Sequence, residues 1–223
     1  MKFYAFTPSV SSRFISASEL VNENEIVYHS CTQCGNADLV DWTAFSPCFE
    51  CESPTSRRKL PDIMAYGGKL LHSSDWWCIV SDKFKSWYEK MQFSGCRFHP
   101  VRLVYRIKNT IHDIDANYYL MLITGRAQLD FKRMQIACDM CMECGHYLFD
   151  GPLCPLYTDK GIFPALLNDD SWDGSDVFND AVCTEAVASK ILESGLTGFE
   201  FIRFEQKFDS YEKIRFISKL SQL

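Results

Sequence analysis

Cysteine constrains this chain more than any other residue type. There are 11 in 223 residues, an odd count that internal disulfides alone cannot satisfy. Eight of them form two compact groups: Cys31, Cys34, Cys48 and Cys51, then Cys138, Cys141, Cys144 and Cys154. The chain begins MKFYAFTPSVSSRF, without an apolar stretch ahead of a small-residue cleavage site, so no secretory signal is expected. In the reducing cytoplasm this implies, C-x-x-C pairs read as metal ligands before they read as disulfides. Cys78, Cys96 and Cys183 sit among apolar neighbours and are expected to pack as small buried hydrophobes.

Residues 31–51 follow C-x2-C-x13-C-x2-C. Zinc wants four soft ligands at tetrahedral corners, and each C-x-x-C turn supplies two of them. Gly35 lets the backbone double back, and Leu39, Val40, Trp42 and Phe45 suit a hairpin that brings the second pair alongside the first. The expectation is a zinc-ribbon-like site of Cys31, Cys34, Cys48 and Cys51. Four thiolates leave no open position for water, which makes such a zinc structural. Pro47-Cys48-Phe49-Glu50-Cys51 copies half of the zinc-deaminase signature. The other half, an upstream H-x-E, is absent, because His29 is followed by Ser30 and Cys31.

The second group reads CDMCMECGHYLFDGPLCP over residues 138–155 and repeats the C-x-x-C-G motif at 141–145. Cys138, Cys141, Cys144 and Cys154 are its candidate ligands, with His146 as a substitute, and a second structural zinc is the plain reading. An iron–sulfur cluster is the sharper alternative. Ferredoxins place three residues before the last cysteine where this chain places nine, and the matching N-terminal motif is an ordinary zinc arrangement. A degenerate site without metal is the third reading.

Two C-x-x-C-G motifs prompt a search for duplication. Residues 79–101 lie over 182–204 at a constant offset of 103, with Ser81 on Thr184, Phe84 on Val187, Tyr88 on Ile191, Gly95 on Gly198 and Phe98 on Phe201. Ser81 and Thr184 are natural N-caps, each followed by an acidic first-turn residue, and apolar residues at i and i+4 predict a core-facing helix in each copy. A glycine and an alternating strand follow. Further strands are expected at 101–107, 118–125, 127–136 and 146–149. Tyr211, Ile214, Ile217 and Leu220 predict an amphipathic helix over 210–223. The fold class is thus α+β, in two related halves (1–107 and 108–223), each a knuckle followed by a helix–strand unit, around one continuous core.

Charge narrows the function. Lys and Arg number 23 against 29 Asp and Glu, and a formal net charge of −6 argues against a protein that binds duplex DNA by neutralising phosphates. No run approaches the roughly 18 apolar residues of a membrane helix. The stretch 168–180, NDDSWDGSDVFND, starts like an EF-hand loop but ends in Asp180 and puts Asp176 where an apolar residue belongs. It reads instead as a solvated acidic surface, with Asp169, Asp170, Asp173 and Asp176 as candidate contacts for a basic partner. Five scattered histidines, with no H-E-x-x-H motif and no glycine-rich phosphate loop, give no catalytic constellation. No enzyme activity is expected.

The ordered set of C-x-x-C-G at 31–35 and 141–145, W-D-G-S-D-V-F at 172–178 and G-L-T-G-F-E-F at 195–201 resembles the double-CXXCG motif family of bacterial immunity proteins. The resemblance implies a cytoplasmic antidote that binds and neutralises a cognate polymorphic toxin. A basic nuclease would be steered toward such an acidic protein. The competing class is a zinc-ribbon module for nucleic acid or the transcription machinery, to which the Arg57–Lys59 run would contribute.

Overall fold

The computed structural model describes residues 3–9, 13–35, 39–54, 58–66, 78–123, 128–129, 138–141, 143, 147–149, 164–166, 172–175, 180–204 and 213–216. In chain order, the first part forms β1 (Phe3–Pro8), β2 (Ala17–Leu20), β3 (Tyr28–His29), β4 (Leu39–Val40), β5 (Cys48–Cys51) and β6 (Ile63–Met64). Next come β7 (Cys78–Ser81), helix α1 (Asp82–Lys90), β8 (Cys96–Ile107), β9 (Thr110–Asp113) and β10 (Tyr118–Ile123). Short strands follow: β11 (Gln128–Leu129), β12 (Cys138–Met140), β13 (Tyr147–Phe149) and β14 (Pro164–Leu166). The last part holds β15 (Trp172–Ser175), β16 (Asp180–Thr184), helix α2 (Glu185–Glu193), β17 (Phe199–Phe204) and β18 (Lys213–Phe216). The fold is a mixed α+β arrangement with two α-helices and a short 3-10 turn at Glu23–Glu25 among the described residues, none long and apolar enough to cross a membrane.

Both helices start where capping chemistry starts them. The Ser81 hydroxyl accepts the Phe84 N–H, and the Thr184 hydroxyl accepts the Val187 N–H. Each satisfies one of the donors that a helix N-terminus leaves over. Asp82 and Glu185 sit in the first turns and Lys90 and Lys190 in the last, where the helix dipole favours them. The helices are followed by left-handed turns, at Gln92 (φ 57°) and Gly95 (φ 93°) after α1, and at Gly195 (φ 70°) and Gly198 (φ 87°) after α2.

Two sheets carry the chain. One runs β15-β16-β1-β17-β18 with every neighbour antiparallel. The other is curled and runs β2-β5-β8-β10-β7-β6, with β9 also paired to β8; its β5–β8 ladder is parallel and the rest are antiparallel. Strands β7 and β10 are buried on both faces. Cys78 and Val80 of β7 face one hydrophobic cluster, while Ile79 between them faces another. Leu120 and Met121 of β10 divide the same way, which explains the near-continuous apolar runs CIV and YYLMLI. The first cluster gathers Tyr4 and Phe6 of β1, Phe84 and Tyr88 of α1, Val187 and Ile191 of α2, and Phe199 and Phe201 of β17. The second packs Phe49, Leu103, Tyr118 and Leu120 with Ile15 and Met64.

One expectation is corrected. Within 210–223, residues 213–216 are not helical but form β18, which pairs Phe201 with Phe216 and Phe204 with Lys213. Lys213, Ile214, Arg215 and Phe216 alternate polar and apolar, a period of two that suits the open edge of β17 and its unpaired backbone groups. Of the strand expected at 127–136, only Gln128–Leu129 falls among the described residues, as β11.

Candidate metal centre

Each C-x-x-C-G motif follows a short strand that belongs to a two-stranded hairpin. β3 pairs with β4, Tyr28 against Val40 and His29 against Leu39. Between them the chain turns at Cys31–Gly35, where the Gly35 N–H donates to the Cys31 carbonyl at 2.9 Å and Gly35 takes φ 73°. Glycine adopts this left-handed conformation without the clash a β-carbon would bring. β12 pairs with β13, Cys138 against Phe149 and Met140 against Tyr147, and Cys141 follows β12 directly.

The two motifs meet. The Sγ atoms of Cys31, Cys34 and Cys141 all lie within 4.8 Å of one another, and those of Cys31 and Cys141 are 3.6 Å apart. Tetrahedral Zn–S bonds of about 2.3 Å hold their sulfurs about 3.8 Å apart, so the three can close on one such ion with little movement. Cys31 and Cys141 are buried and Cys34 is half-buried. Among the described residues, no other group of three or more His, Cys, Asp or Glu gathers its ligand atoms this closely.

Side chains at the third position of each motif brace the contact. The Glu143 carboxylate accepts the Gln33 N–H at 2.9 Å and the Thr32 hydroxyl at 2.7 Å, with the Cys31 thiol at 3.4 Å. The Gln33 side-chain carbonyl accepts the Glu143 N–H at 3.1 Å and the Cys141 thiol at 3.4 Å. Thr32, first, and Cys31 hold the Glu143 carboxyl below its usual range. At Cys31 the Cys34 N–H pulls the thiol toward ionisation. Burial and the neighbouring Cys34 and Cys141 thiols nevertheless carry it above its ordinary value. Crowded thiols resist sharing negative charge, and a bound cation removes that resistance.

Of the expected first site, Cys31 and Cys34 lie in this cluster and Cys48 and Cys51 do not. They begin and end β5, and residues three apart in a strand face opposite sides, so this pair cannot chelate one ion as a turn does. Cys48 is half-buried. Cys51 lies in the second hydrophobic cluster with its Sγ 3.7 Å from Met64 Sδ, and burial raises its thiol to about 12. It packs as a core residue. The cause is tertiary: β5 is drawn into ladders with β2 and β8, leaving no knuckle at residues 48–51.

In the second expected site, Cys141 is in the cluster and Cys138 occupies β12, while Cys144, Cys154 and His146 lie outside the described residues. Cys78 and Cys183 are fully buried in the first hydrophobic cluster and Cys96 packs against it. Of the acidic candidates, Asp173 stands in β15, at an edge of its sheet; Asp169, Asp170 and Asp176 lie outside the described residues. Sequence reading missed Gln33 and Glu143, whose only signal is a polar residue at the same place in both motifs. In comparisons with known proteins, no family model and no curated protein sequence matches the chain.

Proposed function

We propose that this chain is an immunity protein, a non-catalytic cytoplasmic antidote that binds and neutralises a cognate bacterial toxin, folded around a thiolate-held zinc. The observation that carries this reading is the meeting of Cys31 and Cys34 with Cys141. The two motifs on which the resemblance rests are thereby parts of one device rather than two unrelated knuckles. Soft thiolates favour zinc over hard cations, and a cluster completed by a fourth protein ligand leaves no position for substrate. The metal then supports a scaffold, and function falls to the surface around it.

Acidity supports the choice of partner. A formal charge of −6 would steer a basic nuclease toward this protein, with Asp173 on an edge strand and its acidic neighbours in sequence, Asp169, Asp170 and Asp176, as contacts. Capture of the tagged chain from its host should recover one toxin at near-equal amount, and adding the chain should silence that toxin. Replacing the four aspartates by lysine should weaken the complex. Recovery of RNA polymerase or RNA would favour the zinc-ribbon reading instead, which the two hairpin-borne motifs also suit.

A further inference from the structure

We propose that the chain consists of two copies of one strand–knuckle–strand–helix–strand unit with exchanged first strands, and that a single metal ion clasps the copies together through Cys31 and Cys34 of one and Cys141 and Cys144 of the other. This rests on the metal reading above and adds to it the fourth ligand and the role of the ion.

The ladder registers carry the first part. In β7–α1–β8 the two strands are not neighbours, because β10 runs antiparallel between them. In β16–α2–β17 the intervening antiparallel strand is β1. Tyr118 faces Ser81 on one side and Val101 on the other. Phe3 faces Thr184 and Phe204. Three residues further along, Met121 faces Cys78 and Phe98 where Phe6 faces Ala181 and Phe201. Every partner differs by the offset of 103 and every central residue by 115. A slip of one residue would turn each side chain to the other face, so agreement on both sides of both strands is a strict condition. In chain order β1 opens the first unit and β10 the second. Each therefore sits inside the other unit's strand–helix–strand.

The knuckles carry the second part. They lie between these segments in both copies, at an intermediate offset of 110 that keeps the order. Gln33 and Glu143 occupy the same position, and each accepts the other's main-chain N–H. Cys31 donates to Glu143 as Cys141 donates to Gln33. Residue i touching j while j touches i is what a two-fold axis produces. Cys31 and Cys141 face each other across that axis at 3.6 Å. A tetrahedral ion on the axis takes its ligands in related pairs. The mate of Cys34 in the sequence is Cys144, whereas Cys138 and Cys154 correspond to Tyr28 and Ala44, which offer no thiol.

The test is elemental analysis of full-length protein with zinc as the probe. Wild type should carry one ion per chain. Cys34→Ser and Cys144→Ser should each retain less than about a tenth of it, while Cys48→Ser, Cys138→Ser and Cys154→Ser keep it. Because serine variants can misfold, Cys144→His is the second variant. It should hold one Co²⁺ whose d–d bands move to shorter wavelength as nitrogen replaces sulfur. Two ions per chain, or one that survives Cys144→Ser but is lost with Cys154→Ser, overturns the clasp and leaves the metal reading standing. A metal-free wild type overturns both. Oxidation of that metal-free protein by diamide, which takes two electrons and two protons from a thiol pair, then tests the geometry by itself. A mapped Cys31–Cys141 disulfide preserves the paired knuckles, and none removes them.

Discussion

Asp62 and Thr197 hold each other by three hydrogen bonds: Asp62 Oδ2 accepts the Thr197 N–H at 2.9 Å and its hydroxyl at 3.0 Å, and Thr197 Oγ1 accepts the Asp62 N–H at 3.2 Å. The two are 135 residues apart, and the contact ties the turn after α2 to the segment before β6. Asp62 also accepts from the Ser81 hydroxyl at 2.9 Å and meets Lys83 Nζ at 3.3 Å, so it reaches the start of α1 as well. Asp62→Ala should lower stability by about 1–3 kcal/mol, because it strands several donors at once. Asp62→Asn should recover part of the loss. Urea unfolding of the two variants checks the order.

Gly198 packs against the same junction. A β-carbon there would lie 2.2 Å from the Ile63 carbonyl oxygen and 2.5 Å from Pro61 Cβ, on a backbone already at φ 87°. Gly198→Ala should therefore cost at least about 1 kcal/mol, from steric conflict as well as the left-handed φ. At Gly195, with φ 70° but nothing within 4 Å, the same substitution should cost less. A comparison of urea midpoints separates contact from conformation.

The helix caps offer a paired measurement. Ser81→Ala and Thr184→Ala each remove an acceptor from a helix N-terminus and should each cost on the order of 1 kcal/mol. Ser81 should cost more, because its hydroxyl also serves Asp62. Equal losses would mean that the Asp62 contact adds nothing.

Alkaline pH should destabilise the fold through its buried thiols. Burial carries Cys51 from an ordinary 9.0 to about 12 and raises Cys78 and Cys183 as well. Below pH 9.0 these thiols keep their protons folded or unfolded, and their contribution is fully present. Above it the unfolded chain loses protons that the folded chain retains, so stability falls as pH rises toward the folded values. One such group costs about 1.4 kcal/mol per pH unit through that window. Urea midpoints should be flat just below pH 9.0 and drop above it, and Cys51→Ala should shallow the drop.

Much of the local structure was legible in the chain. Ser81 and Thr184 announce both helices because a hydroxyl cap acts within three residues of itself. The knuckle at Cys31–Gly35 is legible for the same reason, since its turn closes within five residues. β7 and β10 could be found as apolar runs, and β8 by its alternation after Gly95. The acidic stretch was less clear. Trp172–Ser175 reads as loop from composition but forms β15, since β16 offers it a pairing edge.

The sequence by itself determined where helices begin, which residues form the Cys31 knuckle, and that Cys78 and Cys183 are buried. Those outcomes depend on neighbours along the chain or on the apolar character of the residue. Only the tertiary structure decided which cysteines meet. Cys48 lies far closer in sequence to Cys34 than Cys141 does, yet the parallel pairing of β5 with β8 removes Cys48 while the hairpins of β3 and β12 deliver Cys31 and Cys141 to one place. Residues 213–216 were decided the same way, because Ile214 fits a helical stripe with Ile217 as well as an alternating strand with Phe216. Backbone donors left open along β17 selected the strand, and a partner supplied by a distant edge leaves no mark in the local sequence.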